Sequence, residues 1–138
     1  YMSRISGPLL DRIDLHVEVP AVPYTDLTEK PKGARSDKIR PRVEKTRDVQ
    51  LKRFKSDGNK YCNAHMGTRD IQTFCRIDKS GSQLLKTAME KLGLSARAYD
   101  RILKVSRTIA DLEGEANILP QHLSEAIQYR SLDRQLWL

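Results

Sequence analysis

Only one stretch of this chain alternates as a β-strand does. Within the opening run Arg4–Pro20, Ile13, Leu15, Val17 and Val19 are apolar, while Asp14, His16 and Glu18 between them are polar. That period of two buries one face of a strand, and Pro20 ends it. A single strand leaves its backbone N–H and C=O groups without a ladder partner and is not stable alone. The pattern therefore predicts a mainly α protein with one strand whose partner lies elsewhere, so the sequence is expected to be part of something longer.

The remainder reads as helix. Residues 21–35 hold Pro23, Pro31 and Gly33 among polar residues, as a linker does. A first helix is expected from about Asp37 or Arg40 to Phe54, with Ser36 as cap or turn and with Ile39, Val43, Val49 or Gln50, and Phe54 facing inward; Pro41 favours the later start. Thr68 is placed as the cap of a short helix to Phe74. Another helix is expected from about Ser82 to Leu92, stopped by Gly93. The clearest follows Ser95: Tyr99, Ile102, Val105, Ile109 and Leu112 recur at spacings of three and four as a core stripe, with Gly114 as stop. A last helix opens at Leu119-Pro120 and runs to about Ser131. The architecture is thus one strand and about five helices.

With 38% apolar, 31% charged and 6% aromatic residues, 138 residues support one core. No apolar run approaches the roughly 20 residues of a membrane span, and no signal peptide is evident, so the chain reads as cytoplasmic with reduced cysteines. Cys62, His65 and Cys75 offer three potential zinc ligands where a structural site needs four. No metal is expected, and the cysteines read as small buried hydrophobes.

The charge is unevenly spread. Lys38, Arg40, Arg42, Lys45, Arg47, Lys52, Arg53 and Lys55 face only Glu44 and Asp48, so six of the net +7 charges fall in that stretch. Arg40, Arg42, Lys45, Arg47, Lys52 and Arg53 are candidate contacts for nucleic-acid phosphates. The alternative is a solvated helix face, since few aromatics are present to stack bases.

Ile5-Ser-Gly-Pro-Leu-Leu-Asp-Arg-Ile-Asp-Leu-His-Val-Glu-Val-Pro20, Tyr61-Cys-Asn-Ala64, Leu94-Ser-Ala-Arg-Ala-Tyr-Asp-Arg-Ile-Leu-Lys-Val105, Thr108-Ile-Ala-Asp-Leu112 and Glu125-Ala-Ile-Gln-Tyr-Arg130 together resemble the magnesium-chelatase-like AAA+ ATPases, most nearly their bacterial competence-related ComM type. The runs occur in the family's order over nearly the whole chain; Pro41 and Ser106 depart from its pattern. The resemblance implies that residues 1–20 end a nucleotide-binding αβ core with its arginine-finger loop and last strand, that 21–35 is a linker, and that 36–138 form the helical lid. It implies that Arg12 is an arginine finger acting in trans and that Arg97 is the sensor-2 arginine on the ATP phosphates. Read without it, Arg12 is a surface arginine paired with Asp11 or Asp14, and Arg97 is bonded to Asp100 or Glu90. Arg101 and Arg107 are alternatives on the same helix.

The resemblance further implies a ring, a hexamer, whose neighbouring subunits complete each other's sites, with ATP and Mg2+ as cofactors of the full-length protein and single- or double-stranded DNA as the substrate moved. Alternatives are a chelatase subunit driving metal insertion through a protein partner, and a non-enzymatic helical binding module. No phosphate loop is present: Gly81-Ser-Gln-Leu-Leu-Lys86-Thr87 lacks the second glycine. No acidic Walker-B strand is present either, so this segment alone is expected to be inactive and to bind no cofactor.

Overall fold

A computed structural model describes residues 5–30 and 33–130. Arg4, Pro31 and Ser131 lie outside the described residues. Within them the protein is mainly helical: α1 (Gly7–Leu10), α2 (Tyr24–Thr28), α3 (Ser36–Arg53), α4 (Thr68–Phe74), α5 (Lys79–Leu92), α6 (Ala96–Glu113) and α7 (Pro120–Gln128), with a 3-10 turn at Asn63–His65. The five expected helices are α3 to α7. The two short ones at the N-terminal side were not expected.

The alternating run does not form a strand. Residues 15–20 carry no regular structure, and the described residues hold one isolated parallel bridge, Ile77 to Ile118. The cause is the missing ladder: with no strand to pair against among the described residues, the apolar positions stay exposed, Val19 by 80%. His16 alone is buried there, its N–H donating to the Tyr129 carbonyl at 2.7 Å.

α6 is the central element, packed by α7, α3, α4 and the 3-10 turn, while α5 packs on α7. Phe54, Met66, Ile71, Cys75, Leu85, Ile102, Leu103, Ile109, Ala110, Ile118, Leu123 and Ala126 form one core. Because α6 is covered from several sides, its buried surface is broader than the predicted stripe. Ile102 and Ile109 are buried as expected, but Tyr99 is exposed, whereas Ala98, Leu103, Ser106, Arg107 and Asp111 are buried. The Ser106 hydroxyl satisfies itself on the Ile102 carbonyl at 2.7 Å, which makes a serine acceptable in the interior.

Local signals explain most helix boundaries. Ser95 Oγ accepts from the Ala98 N–H at 3.2 Å and caps α6. Gly93 and Gly114 end α5 and α6 at φ +60° and +75°, a left-handed conformation that glycine adopts freely. Two starts differ from expectation. α5 begins at Lys79 because Asp78 Oδ1 accepts from the Gly81 N–H at 2.6 Å. In α4 Thr68 is the first helical residue, Gly67 holds the cap position, and Asp70 accepts from the Gly67 N–H at 2.9 Å.

α3 departs most. It starts at Ser36, with Arg35 at the cap and Pro41 inside the helix. Every residue from 36 to 45 is exposed, so the expected inward residues Ile39 and Val43 face solvent at 47% and 40%. Water can serve the Asp37 carbonyl that Pro41 deprives of a donor, which is why the proline is tolerated here. Only beyond residue 45 does α3 dock, burying Thr46 and Gln50 and then Phe54. The Lys60 ammonium then spans Asp57 and Asp70 at 2.7 and 2.9 Å, and its hydrogen bonds hold both carboxyls below their ordinary range.

Candidate functional site

The first turns of α6 place Arg97, Asp100, Arg101 and Lys104 at i, i+3, i+4 and i+7, hence on one face. Against that face lies the segment following α1. Pro8 favours the single turn of α1, whose Leu10 is buried, and Asp11 and Arg12 lead out of it. This segment is fastened to the end of α7. Arg130 Nη1 donates to the Ile13 carbonyl at 2.8 Å, and its Nη2 lies 3.7 Å from Asp11. Asp14, 87 positions from Arg101, accepts from that guanidinium.

These contacts put Arg12 beside Arg97. Arg12, Arg97, Asp100, Arg101 and Lys104 line a concavity of about 390 Å³. The two residues expected to pair with Arg12 are engaged elsewhere, Asp14 by Arg101 and Asp11 by Arg130. Lys104 Nζ donates to the Ala64 carbonyl at 3.1 Å. Among the described residues Arg12 and Arg97 make no hydrogen bond or ion pair, and both are exposed. Four cations thus face Asp100 and the already committed Asp14, a positive surplus open to solvent. Such a surface, with two planar guanidiniums free to fork onto oxygens, suits a phosphate chain.

Arg101 and Lys104 complete the concavity. Their spacing from Arg97 is the sequence signal for them; Arg101 is one of the alternatives read from the sequence, and Lys104 is not. Arg107, the other alternative, points elsewhere. It is buried and bonds Asp111 Oδ1 at 3.1 Å and the Ala116 and Glu115 carbonyls at 2.9 and 2.7 Å.

The six α3 residues named for nucleic acid separate. Arg40, Arg42, Lys45, Arg47 and Lys52 are exposed. At 100° per residue Arg42, Lys45 and Lys52 fall on one flank and Arg40 and Arg47 on the opposite one, with Glu44 and Asp48 between. Arg53 instead turns inward and forks onto Asp111 at 2.6 and 2.7 Å, with a third bond to Asn63. The Cys75 thiol lies in the core, 3.9 Å from the Met66 sulfur, and burial raises it to about 11, so it is protonated and unreactive near neutral pH.

Residues 33–130 match the family described as "Magnesium chelatase, subunit ChlI C-terminal", and residues 1–27 match "Magnesium chelatase, subunit ChlI". The chain belongs to this magnesium-chelatase family. Over 137 residues, 99% of its length, it is 44% identical to competence protein ComM of Haemophilus influenzae. It is 41% identical over the same length to protein YifB of Salmonella typhimurium and of Escherichia coli. The chain spans 26% of the length of each of these relatives.

Proposed function

We propose that this chain is the helical lid and arginine-bearing edge of a ring-forming ATPase, in which Arg12 is the arginine finger and Arg97 the sensor-2 arginine. The observation that carries this is their shared concavity: two guanidiniums without partners among the described residues, from opposite parts of the sequence, on one positively charged wall. Charge builds on the γ-phosphate oxygens during phosphoryl transfer, and an arginine aimed there stabilises the transition state more than the ground state. Arg97, in the first turn of α6, adds its charge beside backbone N–H groups that lack helical partners. Asp14 bonds Arg101 and thereby leaves Arg12 without a carboxylate partner among the described residues. The phosphate loop and the partners of Mg2+ belong to another part of a longer protein. The family resemblance supports a cytoplasmic hexamer whose neighbours share each site.

That the ring works on DNA rests on the competence-related likeness and on the exposed basic residues of α3. The same helix carries Ile39 and Val43 in the open, which favours as a second reading a ring that drives a protein partner, as in metal insertion. ATP turnover by the longer protein separates these readings. Arg12→Ala should lower turnover by about 10³-fold or more while nucleotide binding is largely retained, and Arg97→Ala should weaken both. Wild-type turnover in Arg12→Ala removes that residue from the site. Stimulation by single-stranded DNA supports the DNA reading, and indifference to DNA favours the protein partner.

A further inference from the structure

α6 carries a second basic concavity toward its other end, about 15 Å along the axis from Arg97 to Arg107. It has a volume of about 190 Å³ and is walled by Arg53, Thr73, Phe74, Arg76, Arg107 and Asn117. We propose that it binds a phosphate group.

Charge is the first argument. Three guanidiniums line this concavity, and two of them, Arg53 and Arg107, share one carboxylate, Asp111, whose side chain is 1% exposed. Its Oδ1 accepts from Arg53 Nη2 at 2.6 Å and Arg107 Nε at 3.1 Å; its Oδ2 accepts from Arg53 Nη1 at 2.7 Å and Asn63 Nδ2 at 2.9 Å. Four bonds use the carboxylate's full capacity. Arg76 is exposed and has no hydrogen bond or ion pair among the described residues, so the cluster keeps an excess of positive charge, two of whose members are largely out of water. Such an arrangement is costly unless a further anion balances it.

Donor arithmetic is the second. A guanidinium has five N–H groups. Arg53 makes three bonds, to Asn63 and twice to Asp111. Arg107 also makes three, to Asp111 and to the Ala116 and Glu115 carbonyls. Two N–H groups on each therefore have no acceptor among the described residues. The planes are already fixed, Arg107 by those carbonyls and Arg53 by Asp111 and by the Phe74 ring, whose centroid lies 5.9 Å from its Cζ. Little ordering is left for a ligand to impose. The size fits a phosphate with a few waters, each taking about 30 Å³, and is below the roughly 300 Å³ at which pockets for whole organic ligands begin.

A free phosphate and a nucleic-acid backbone phosphate offer the same chemistry. The test is an NMR titration of the 138-residue chain with inorganic phosphate and, separately, with a single-stranded DNA oligonucleotide, following the arginine Nε–H signals of Arg53, Arg76 and Arg107. Saturable shifts of these signals are expected. Arg76→Ala should weaken the affinity about tenfold or more, the loss of one charge-assisted hydrogen bond, with an unchanged thermal midpoint. If DNA shifts the same signals and loses affinity in the variant, the ligand is a backbone phosphate; if only inorganic phosphate does so, the ligand is a free one. Signals that stay in place with both titrants, or an Arg76→Ala affinity equal to wild type, would overturn the site and leave Arg53 and Arg107 as braces of the fold.

Discussion

The two ends of α6 use the same residue type in opposite ways. Near its start, Arg12 and Arg97 stand exposed without carboxylate partners among the described residues, and the two carboxylates expected to pair with Arg12, Asp11 and Asp14, are engaged by Arg130 and Arg101. Toward its end, Arg53 and Arg107 are locked on Asp111, with side chains 12% and 4% exposed. The first pair contributes nothing the fold requires and is available to a ligand. The second is part of the fold whether or not a ligand comes. What separates them is the allocation of nearby carboxylates, of which only the spacing of four between Arg107 and Asp111 is visible in the local sequence.

The largest effect that could break this contrast is at Asp111. Asp111→Ala leaves two largely buried guanidiniums without their counter-charge and should cost about 3–5 kcal/mol in urea denaturation. Arg107→Met leaves Arg53 and Asp111 as a one-to-one pair and should cost about 1–3 kcal/mol. Equal losses in the two variants would refute the shared-carboxylate account.

A pH titration sharpens the contrast from the core side. Burial raises the Cys75 thiol from 9.0 to about 11, against a smaller opposing pull from Arg107 and Arg53. The unfolded chain therefore loses this proton first as pH rises. The stabilisation is fully present below pH 9 and is lost as pH climbs through 11, on the order of 2–3 kcal/mol. Denaturation curves from pH 8 to 11 should show that decline, and Cys75→Ala should flatten it.

The smallest expected effect completes the comparison. Arg12→Ala and Arg97→Ala should each stay within about 0.5 kcal/mol of wild-type stability, measured by thermal melting. A large loss in either would mean that the exposed end of α6 is braced like the other.

Much of the helical frame was legible. Ser95, Gly93 and Gly114 act through their own backbone neighbours, so their roles can be read from a few adjacent letters. α3 was misread because amphipathic spacing says which residues could face a neighbour, not where the neighbour ends. Ile39 and Val43 lie beyond the body, while Thr46 and Gln50 are buried because the Arg42 carbonyl and the Asn63 N–H complete their hydrogen bonds. The run at 13–19 had a strand's alternation, yet a ladder depends on a second chain segment. Arg12 and Arg97 were found through the family's motifs, and nothing in their immediate surroundings announced that they would share a wall. The clamp between Arg53 and Asp111 joins residues 58 positions apart, a distance over which no sequence pattern operates.

The overhang of α3 has a mechanical consequence. Its first ten residues, a rod of about 15 Å, are exposed along their whole length. The other end is bolted down through Gln50 to Asn63 and through Arg53 to Asp111. A load on the free end would therefore fall on the bonds around the Asp111 carboxylate, which also holds Arg107 of α6.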